Sequence, residues 1–315
     1  MNSKNFIPVA QFHEHYLYAP GDGFISFFNS PYYSHTNMTG IDIFPGNFAY
    51  SEAFSPIKGK VCDIRTFRGH SKLLNASELE YLILIQNEDN PNINTKLLHV
   101  KPTVQKGDYV DVGDKIGEYI RSFFFARWTD PHLHAELRPK EDAMRARGAF
   151  QLNLCQPITE DRQYKEFPLK AKLVKCSPNA LFLEVNEEAF SKQKLAGLKV
   201  GIETKKDNAL FMGILDAGIP YFGHGGIFTK DACKITPGDI VKLNGFSIGE
   251  ILETDLDNRY VRFRPTSFHI RWKEVIFKGI SCRLSLKNRF IKIISPSTNS
   301  CQHRVGDFGT VKFIS

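Results

Sequence analysis

The segment Asp130-Pro131-His132-Leu133-His134-Ala135-Glu136 decides how this chain of 315 residues is interpreted. Successive side chains of a β-strand point to opposite faces, so both histidines and Glu136 share one face and Leu133 faces the other way. Two imidazoles on one face are typical metal ligands, and a neighbouring carboxylate can fix the tautomer of a ring. The segment therefore predicts a metal-binding strand.

Two further segments, both upstream, carry candidate site residues. Met38-Thr39-Gly40-Ile41-Asp42 is followed by Ile43, so the Asp42 carboxylate points away from an apolar face. His99 follows two leucines at the end of another predicted strand. A carboxylate, a lone histidine and an H-x-H pair are together the ingredients of a mononuclear zinc hydrolase.

Short β-rich runs bounded by proline and glycine dominate both halves of the chain. Strands are predicted at residues 56–61, 81–85, 96–100, 109–112, 115–121, 132–138, 209–215, 260–263 and 290–294. Turns are predicted between them at residue pairs 107–108, 113–114, 207–208, 257–258 and 287–288. Many short strands at close spacing predict an all-β protein built as an antiparallel sandwich or roll.

Little helix is expected, and one stretch of the chain has the character of a domain boundary. Short helices are predicted at residues 140–147 and 187–195, the second behind Asn186 as its N-cap. Residues 151–168 are polar and show little periodicity, with Pro157 among them. We therefore expect a first domain at 1–150 and a second β-rich, basic domain of unknown role at 165–315.

Charge is distributed unevenly along the chain. Residues 1–160 carry 16 Lys and Arg against 18 Asp and Glu, and the remainder carries 25 against 16, for +7 overall. A basic half is typical of proteins that bind an anionic partner, such as nucleic acid or another polymer. Dispersed lysines are equally typical of a solvated surface, and the dispersion seen here favours that interpretation.

The chain has few features of an exported or membrane protein. No run approaches the ~18 apolar residues of a spanning helix, and residues 1–10 are broken by Pro8 and do not resemble an export signal. The six cysteines form no C-x-x-C pair, so we expect reduced thiols and no thiolate-bound zinc. A cytoplasmic location follows as the expectation.

An ordered set of segments over about residues 30–140 resembles a lysostaphin/LytM-type zinc metalloendopeptidase domain. The matching segments, in chain order, are residues 38–43, 55–61, 98–100, 107–110, 113–117 and 132–136. The resemblance implies a duplicated hybrid motif, an antiparallel β-fold with a groove over the zinc. The second half of the chain resembles no family.

The same resemblance implies a zinc-dependent hydrolase that cleaves an amide or peptide bond with metal-activated water. One Zn²⁺ per chain would be held by Asp42 and His134. His99 and His132 would be the catalytic pair, moving protons and stabilising the oxyanion. A peptide or a peptide-containing polymer would be the substrate.

The first ligand position departs from the family pattern, because Met38 stands where the family has a histidine. A thioether is a soft, neutral donor and a poor match for zinc. His35, three residues earlier, is predicted to replace it through a bend at Asn37, and His13 with His15 offers a second replacement. Among the aromatic residues near these segments, Trp128 is the best candidate for a wall of the substrate groove.

The alternative is a catalytically degenerate binding module. In that case the β-fold persists without a working metal site, and the basic C-terminal half recognises an anionic partner. The sequence leaves both interpretations open, together with the substrate and the oligomeric state.

Overall fold

A computed structural model describes residues 5–46, 51–70, 73, 75–156, 158, 164–257, 259–296 and 303–315. The chain divides into two compact units, Met1–Phe27 with Tyr32–Gln156, and Phe28–Pro31 with Pro157–Ser315. Regular structure in the described residues is almost entirely β, and the strands pair in antiparallel fashion. The predicted all-β, antiparallel class is confirmed.

In its described residues, the first unit has thirteen strands and one α-helix of four residues. They are β1 (Phe6–Phe12), β2 (His15–Pro20), β3 (Phe24–Ser26), α1 (Tyr33–Thr36), β4 (Ile41–Phe44), β5 (Glu52–Phe54), β6 (Gly59–Arg68), β7 (Leu79–Asn87), β8 (Ile93–Leu98), β9 (Val100–Pro102), β10 (Tyr109–Val110), β11 (Lys115–Tyr119), β12 (Leu133–Pro139) and β13 (Asn153–Leu154). One sheet runs β10-β6-β7-β8-β12-β4-β3, and two smaller sheets run β13-β1-β2 and β5-β11-β9.

Strand β12, which carries most of the H-x-H motif, lies between β8 and β4. Its register places His134 opposite Asp42 of β4 on one side and opposite Leu98 of β8 on the other. Opposite residues of an antiparallel pair lie about 4.5–5.5 Å apart, so their side chains meet on one face. This pairing brings together the carboxylate, the H-x-H pair and His99, the residue after Leu98.

The helix predicted at residues 140–147 is wrong, because only Lys140–Asp142 forms a 3₁₀ turn. The carbonyl groups of this segment are bound by the guanidinium of Arg138. Its Nε donates to the carbonyl of Asp142 at 2.7 Å, and its Nη2 donates to that of Arg147 at 2.5 Å. The segment therefore wraps around a buried cation instead of forming helical hydrogen bonds.

The described part of the second unit has fourteen strands, β14 to β27. They are β14 (Lys170–Ser177), β15 (Ala180–Val185), β16 (Leu198–Glu203), β17 (Leu210–Ile219), β18 (Gly225–Phe228), β19 (Ile240–Leu243), β20 (Phe246–Asp255), β21 (Tyr260–Pro265), β22 (His269–Trp272), β23 (Val275–Phe277), β24 (Gly279–Cys282), β25 (Leu284–Ser285), β26 (Phe290–Ile294) and β27 (Phe308–Ile314). Thirteen of them form one sheet in the order β16-β19-β20-β21-β18-β17-β24-β26-β15-β14-β27-β22-β23.

The helix predicted at residues 187–195 is also wrong, because only Glu187–Ala189 forms a 3₁₀ turn. Asn186 does not cap it, since its side-chain oxygen accepts the N–H of Lys170 at 3.1 Å. Phe190 is already extended and forms an isolated antiparallel bridge with the first residue of β16. Strand pairing therefore overrides the local helical preference.

Residues Phe28–Pro31 belong to the second unit, although their neighbours along the chain belong to the first. The Phe28 ring is fully buried, with its centroid 5.1 Å from that of Tyr260. The Phe28 N–H donates to Oδ2 of Asp216 at 3.1 Å. Gly226 leaves the space for the ring, because an added Cβ would lie 2.0 Å from a ring carbon. No sequence pattern indicated this exchange.

Several predictions about organisation are not decided by these observations. The division into domains at 1–150 and 165–315 stays a prediction, and Pro157, at its boundary, lies outside the described residues. Asn258, half of a predicted turn, also lies outside them. Among the described residues, no helix has the length and apolar character needed to cross a bilayer.

The prediction of reduced thiols is wrong for Cys176, which forms a disulfide. Cys62, Cys155, Cys233 and Cys282 are free, and Cys301 lies outside the described residues. Disulfides are rare in reducing compartments. Cysteine usage therefore no longer supports a cytoplasmic location, which stays a prediction.

Replacing Phe28 by alanine is expected to lower the free energy of unfolding by about 3–5 kcal/mol, because it leaves a cavity among packed aromatic rings. Urea denaturation of the full chain measures the change. Phe308→Ala is the matched control, since the Phe308 ring is 70% exposed, and it should change stability by less than about 1 kcal/mol. Equal losses in the two variants would contradict the assigned packing of Phe28.

Candidate metal centre

His35 reaches the face of Asp42 because the chain reverses direction directly after α1. The N–H of Thr39 donates to the carbonyl of Ser34 at 2.8 Å. Met38 adopts a left-handed conformation with φ of 53°, which closes this turn. The predicted bend near Asn37 is therefore present, and it turns the chain from the helix into β4.

The carboxylate of Asp42 is the meeting point of three imidazole rings. Its Oδ1 lies 2.8 Å from Nδ1 of His134, 3.3 Å from Nε2 of His35 and 3.3 Å from Nε2 of His132. His35, Asp42 and His134 each offer one ligand atom, and those three atoms lie within 4.8 Å of one another. The three residues proposed from the sequence as metal ligands are thus brought together.

Main-chain carbonyls fix the orientation of two of these rings. Nδ1 of His35 lies 2.8 Å from the carbonyl oxygen of Phe27, and Nδ1 of His132 lies 2.8 Å from that of Asp130. A carbonyl oxygen only accepts hydrogen bonds, so each Nδ1 carries the donated proton. In both rings it is therefore Nε2 that faces Asp42.

The third ring, His134, has the opposite orientation and is held by a buried ionic network. Its Nδ1 faces Asp42, and its Nε2 donates to Oε1 of Glu136 at 3.1 Å. The other oxygen of Glu136 accepts from Nη1 of Arg138 at 2.6 Å and from Nζ of Lys96 at 3.3 Å. Carboxylates behind metal-bound histidines commonly fix the ring in this way.

The proton affinities of this cluster follow from its charges. Burial would raise the pKa of Asp42, but the charges of His132 and His35 and hydrogen bonds from His132 and His134 hold it well below its usual range. Burial would lower the pKa of His134, yet hydrogen bonds to Asp42 and Glu136 raise it to about 9. Burial would raise the pKa of Glu136, but His134, Lys96 and Arg138 lower it to about 2. Without a metal, His134 is thus a cation between two carboxylates.

Two small details of sequence shape the space around the cluster. Met38 is fully buried, as expected of a side chain that packs in the core. Gly40 has no room for a side chain, because an added Cβ would lie 2.6 Å from Cε1 of His134 and 2.9 Å from Cβ of Ser34. The absence of a side chain at Gly40 therefore allows β4 and α1 to approach the ring of His134.

The proposed catalytic pair lies beside the three candidate ligands. The ring centroids of His99 and His132 are 5.1 Å apart, and those of His99 and His134 are 6.1 Å apart. Nδ1 of His99 lies 2.8 Å from Oε2 of Glu80. All five site residues named from the sequence therefore occupy one region of the first unit.

Aromatic rings cover this region, and its side chains are buried. Side-chain exposure is only 3–9% for the four histidines and Asp42. The Phe125 ring stacks on His132 with centroids 4.6 Å apart, and Phe44 contacts the same ring at 4.8 Å. Trp128, predicted to line a groove, is buried instead. Exposed aromatic surface nearby belongs to Tyr32, whose hydroxyl donates to the carbonyl of Phe124 at 2.8 Å.

Some predicted and unpredicted residues require separate mention. His13 is exposed, and Nε2 of His15 contacts Asn90 at 3.4 Å, so neither belongs to the cluster of ligand atoms found in the described part of the chain. Glu80 and Arg138, together with Lys96, were not singled out from the sequence. The sequence signal that could have identified them is a charged residue within a predicted strand or next to one. A charged residue is unusual in a buried position unless it is paired.

Comparisons with known proteins add limited information. Residues 19–154 match a family described as the N-terminal domain of DUF8155, a domain of unknown function. A comparison with curated proteins finds no match. The chain is similar to a solved structure titled "NMR solution structure of lysostaphin", with 15% identity and a TM-score of 0.26 over 81% of this chain and 93% of that one. This likeness is too weak to support an argument, so the lysostaphin-like fold stays a prediction.

Gly40→Ala is expected to displace the His134 ring and to weaken metal binding by about 10–100-fold, as when the hydrogen-bond partner of a metal ligand is lost. Competition with a chromophoric chelator measures the affinity. Gly107→Ala is the control, because Gly107 has φ of +104° and no atom within 4 Å of an added Cβ. Strain at Gly107 lowers stability, whereas metal affinity should stay unchanged. Equal metal affinity in both variants would contradict the contact at Gly40.

Proposed function

We propose that the first unit binds one Zn²⁺ through Nε2 of His35, Oδ1 of Asp42 and Nδ1 of His134. One observation supports this most directly, the convergence of these three atoms to within 4.8 Å of one another in a buried site. Two imidazoles and a carboxylate form a ligand set that is typical of catalytic zinc, which keeps its fourth position for water or substrate.

The spacing of the donor atoms fits a small tetrahedral ion. Bonds of ~2.0–2.1 Å place neighbouring ligand atoms about 3.3 Å apart in a tetrahedral site. Nε2 of His35 lies 3.3 Å from Oδ1 of Asp42. Nδ1 of His134 lies 2.8 Å from the same oxygen, a hydrogen-bond distance. Replacing the shared proton by a cation needs a separation of only about 0.5 Å more.

We further propose that the unit hydrolyses an amide bond in a peptide or a peptide-containing polymer. When bound, Zn²⁺ would polarise the scissile carbonyl and lower the pKa of a water molecule to about 7. His99 would take a proton from that water at Nε2, because its Nδ1 is engaged by Glu80. The same proton would then pass to the leaving amine, and His132 would supply a second imidazole that helps to relay it and stabilises charge on the carbonyl oxygen.

The choice of an amide substrate comes from the ordered motifs that resemble the lysostaphin/LytM type. The arrangement itself supports the broader class, since two histidines beside a three-ligand zinc site can move the protons that hydrolysis requires. No observation on this chain identifies the polymer.

A second candidate function is supported by the burial of the whole cluster. Side-chain exposures of 3–9% leave little of the cluster open to a polymer substrate. On this proposal the metal stabilises a non-catalytic binding module, and the basic C-terminal half recognises an anionic partner. Salt-sensitive retention on a polyanion column, combined with bound zinc and no peptide cleavage, would favour this function.

Full-length protein purified without chelators or metal-affinity resin is expected to contain about one equivalent of zinc, measured by elemental analysis. Zinc binding should weaken by more than about 100-fold in each of three variants, His35→Ala, Asp42→Asn and His134→Ala. Each of them removes a metal ligand, which costs more affinity than losing the hydrogen-bond partner of a ligand. His269→Ala is the matched control, since His269 is an exposed histidine on β22.

The His35 variant is the sharpest of these tests. Normal zinc content in His35→Ala, together with loss in His134→Ala, would place the third ligand elsewhere. Circular dichroism confirms that each apo variant is folded before its affinity is compared. Zinc at substoichiometric levels in the wild type after reconstitution with ZnCl₂ would contradict the metal site.

His132→Gln is expected to retain zinc and to lose hydrolysis by about 10²–10⁴-fold, the usual contribution of a general acid or base. Mass spectrometry of a peptide library incubated with zinc-loaded protein measures cleavage. Wild-type protein that binds zinc but cleaves nothing in the library would favour the non-catalytic candidate. Cleavage that survives in His132→Gln would remove His132 from the proposed catalytic pair.

A further inference from the structure

We propose that Glu80 is the positioning residue of His99, and that it determines which ring nitrogen of His99 faces the candidate zinc ligands. This inference rests on the proposed function for its role in catalysis, whereas the hydrogen bonds themselves stand independently. Glu80 lies on β7, a strand that contributes no other residue to the site.

The Glu80 carboxylate accepts two hydrogen bonds from His99. Oε1 accepts the backbone N–H of His99 at 2.9 Å, and Oε2 accepts from Nδ1 of the same residue at 2.8 Å. Oε1 also accepts the N–H of Tyr81 at 2.9 Å, and Oε2 accepts from the hydroxyl of Ser122. Both oxygens thus act only as acceptors, as a carboxylate does when it is ionised.

The backbone conformation of His99 explains why these two hydrogen bonds are needed. His99 has φ of 70°, a left-handed conformation that is unfavourable for a residue with a Cβ. It lies between the end of β8 and the start of β9, where its carbonyl accepts the N–H of Ile120 at 3.1 Å and its own N–H is bound by Glu80. The bond from Oε1 fixes this strained peptide, and strain of this kind is common where a side chain must be aimed at a site.

The second bond decides the chemistry of the ring. Because a carboxylate at Oε2 accepts from Nδ1, the proton of neutral His99 resides on Nδ1 and Nε2 carries the lone pair. The ring packs edge-on against Phe125, with centroids 4.8 Å apart, and lies 5.1 Å from His132. A base at Nε2 is thereby held beside the candidate zinc ligands.

The nearly complete burial of Glu80 requires compensating partners. Only 1% of the residue is exposed, and burying a carboxylate is costly unless charged or hydrogen-bonded partners compensate. Burial would raise the pKa of Glu80, but His99 and Ser122 hold it below its usual range. Among the described residues, the side chains that hydrogen-bond to Glu80 are those of His99 and of Ser122, which lies in the loop that carries Phe125.

The test compares Glu80→Gln with wild type in the full chain by long-range ¹H–¹⁵N NMR of the histidine rings. A His99→Gln sample identifies the His99 signals by their disappearance. In wild type we expect the Nδ1–H tautomer. In Glu80→Gln, one of the two carboxylate oxygens is replaced by an amide group that donates a hydrogen bond instead of accepting one. If that amide faces the ring, His99 should switch toward the Nε2–H tautomer. If it faces the backbone, the N–H of His99 loses its acceptor and its amide signal should shift.

Two further variants keep the proposal falsifiable. Glu80→Asp retains a carboxylate and should retain the Nδ1–H tautomer, which a purely space-filling role would not require. Ser122→Ala removes one hydrogen bond to Oε2 without touching His99 and should leave the tautomer unchanged. An Nε2–H tautomer in wild type, or an unchanged ring and amide in Glu80→Gln, would overturn the proposal.

Zinc content and peptide cleavage separate this inference from the proposed function. Glu80→Gln should retain one equivalent of zinc, because Glu80 is not a ligand, and should lose cleavage by about 10²–10⁴-fold. Partial recovery of cleavage in Glu80→Asp supports positioning. A wild type without zinc or cleavage contradicts the proposed function alone, and the tautomer of His99 then still decides whether Glu80 positions the ring.

Discussion

A buried carboxylate surrounded by imidazoles is the interaction on which the first unit depends. Asp42 is almost completely buried, and an isolated charge in that place would be strongly unfavourable. Nδ1 of His134 lies 2.8 Å from its Oδ1 and supplies a hydrogen bond, and Nε2 of His35 and Nε2 of His132 each lie 3.3 Å from the same oxygen. The pairing of β4 with β12 and the reversal after α1 are both required to assemble this arrangement, so the fold and the site are determined together.

Around this centre, each histidine is oriented through its second ring nitrogen. The acceptors are two main-chain carbonyls and two carboxylates, namely Phe27 for His35, Asp130 for His132, Glu136 for His134 and Glu80 for His99. A ring fixed at one nitrogen can present only the other to the site. The network therefore determines direction as well as charge, and on the proposed function it selects the nitrogens that bind the metal.

Local features of this architecture could be predicted from the sequence, whereas remote partners could not. Gly107 and Gly113 have φ of +104° and +88°, and the following aspartates each accept an N–H three residues earlier, so turn chemistry alone located these loops. The H-x-H face also follows from strand alternation. Glu80 is different, because its partner His99 is nineteen residues away and is recognised only through strand register. The helix predicted after Arg138 is wrong for the same reason, because the guanidinium of Arg138 donates hydrogen bonds to carbonyl groups of that segment.

On the proposed function, the position of His35 links metal binding to folding. A helix of four residues such as α1 cannot be stable by itself, because nucleation is unfavourable and too few hydrogen bonds follow. Its ligand is therefore held by tertiary contacts, the bond from Nδ1 to Phe27 and the turn closed at Ser34. Free energy gained by a cation at Nε2 is transmitted to these same contacts, since a bound metal stabilises the conformation that its ligands require. A ligand at position 35 thus depends on the folded turn for its placement, whereas Asp42 and His134 lie on strands β4 and β12.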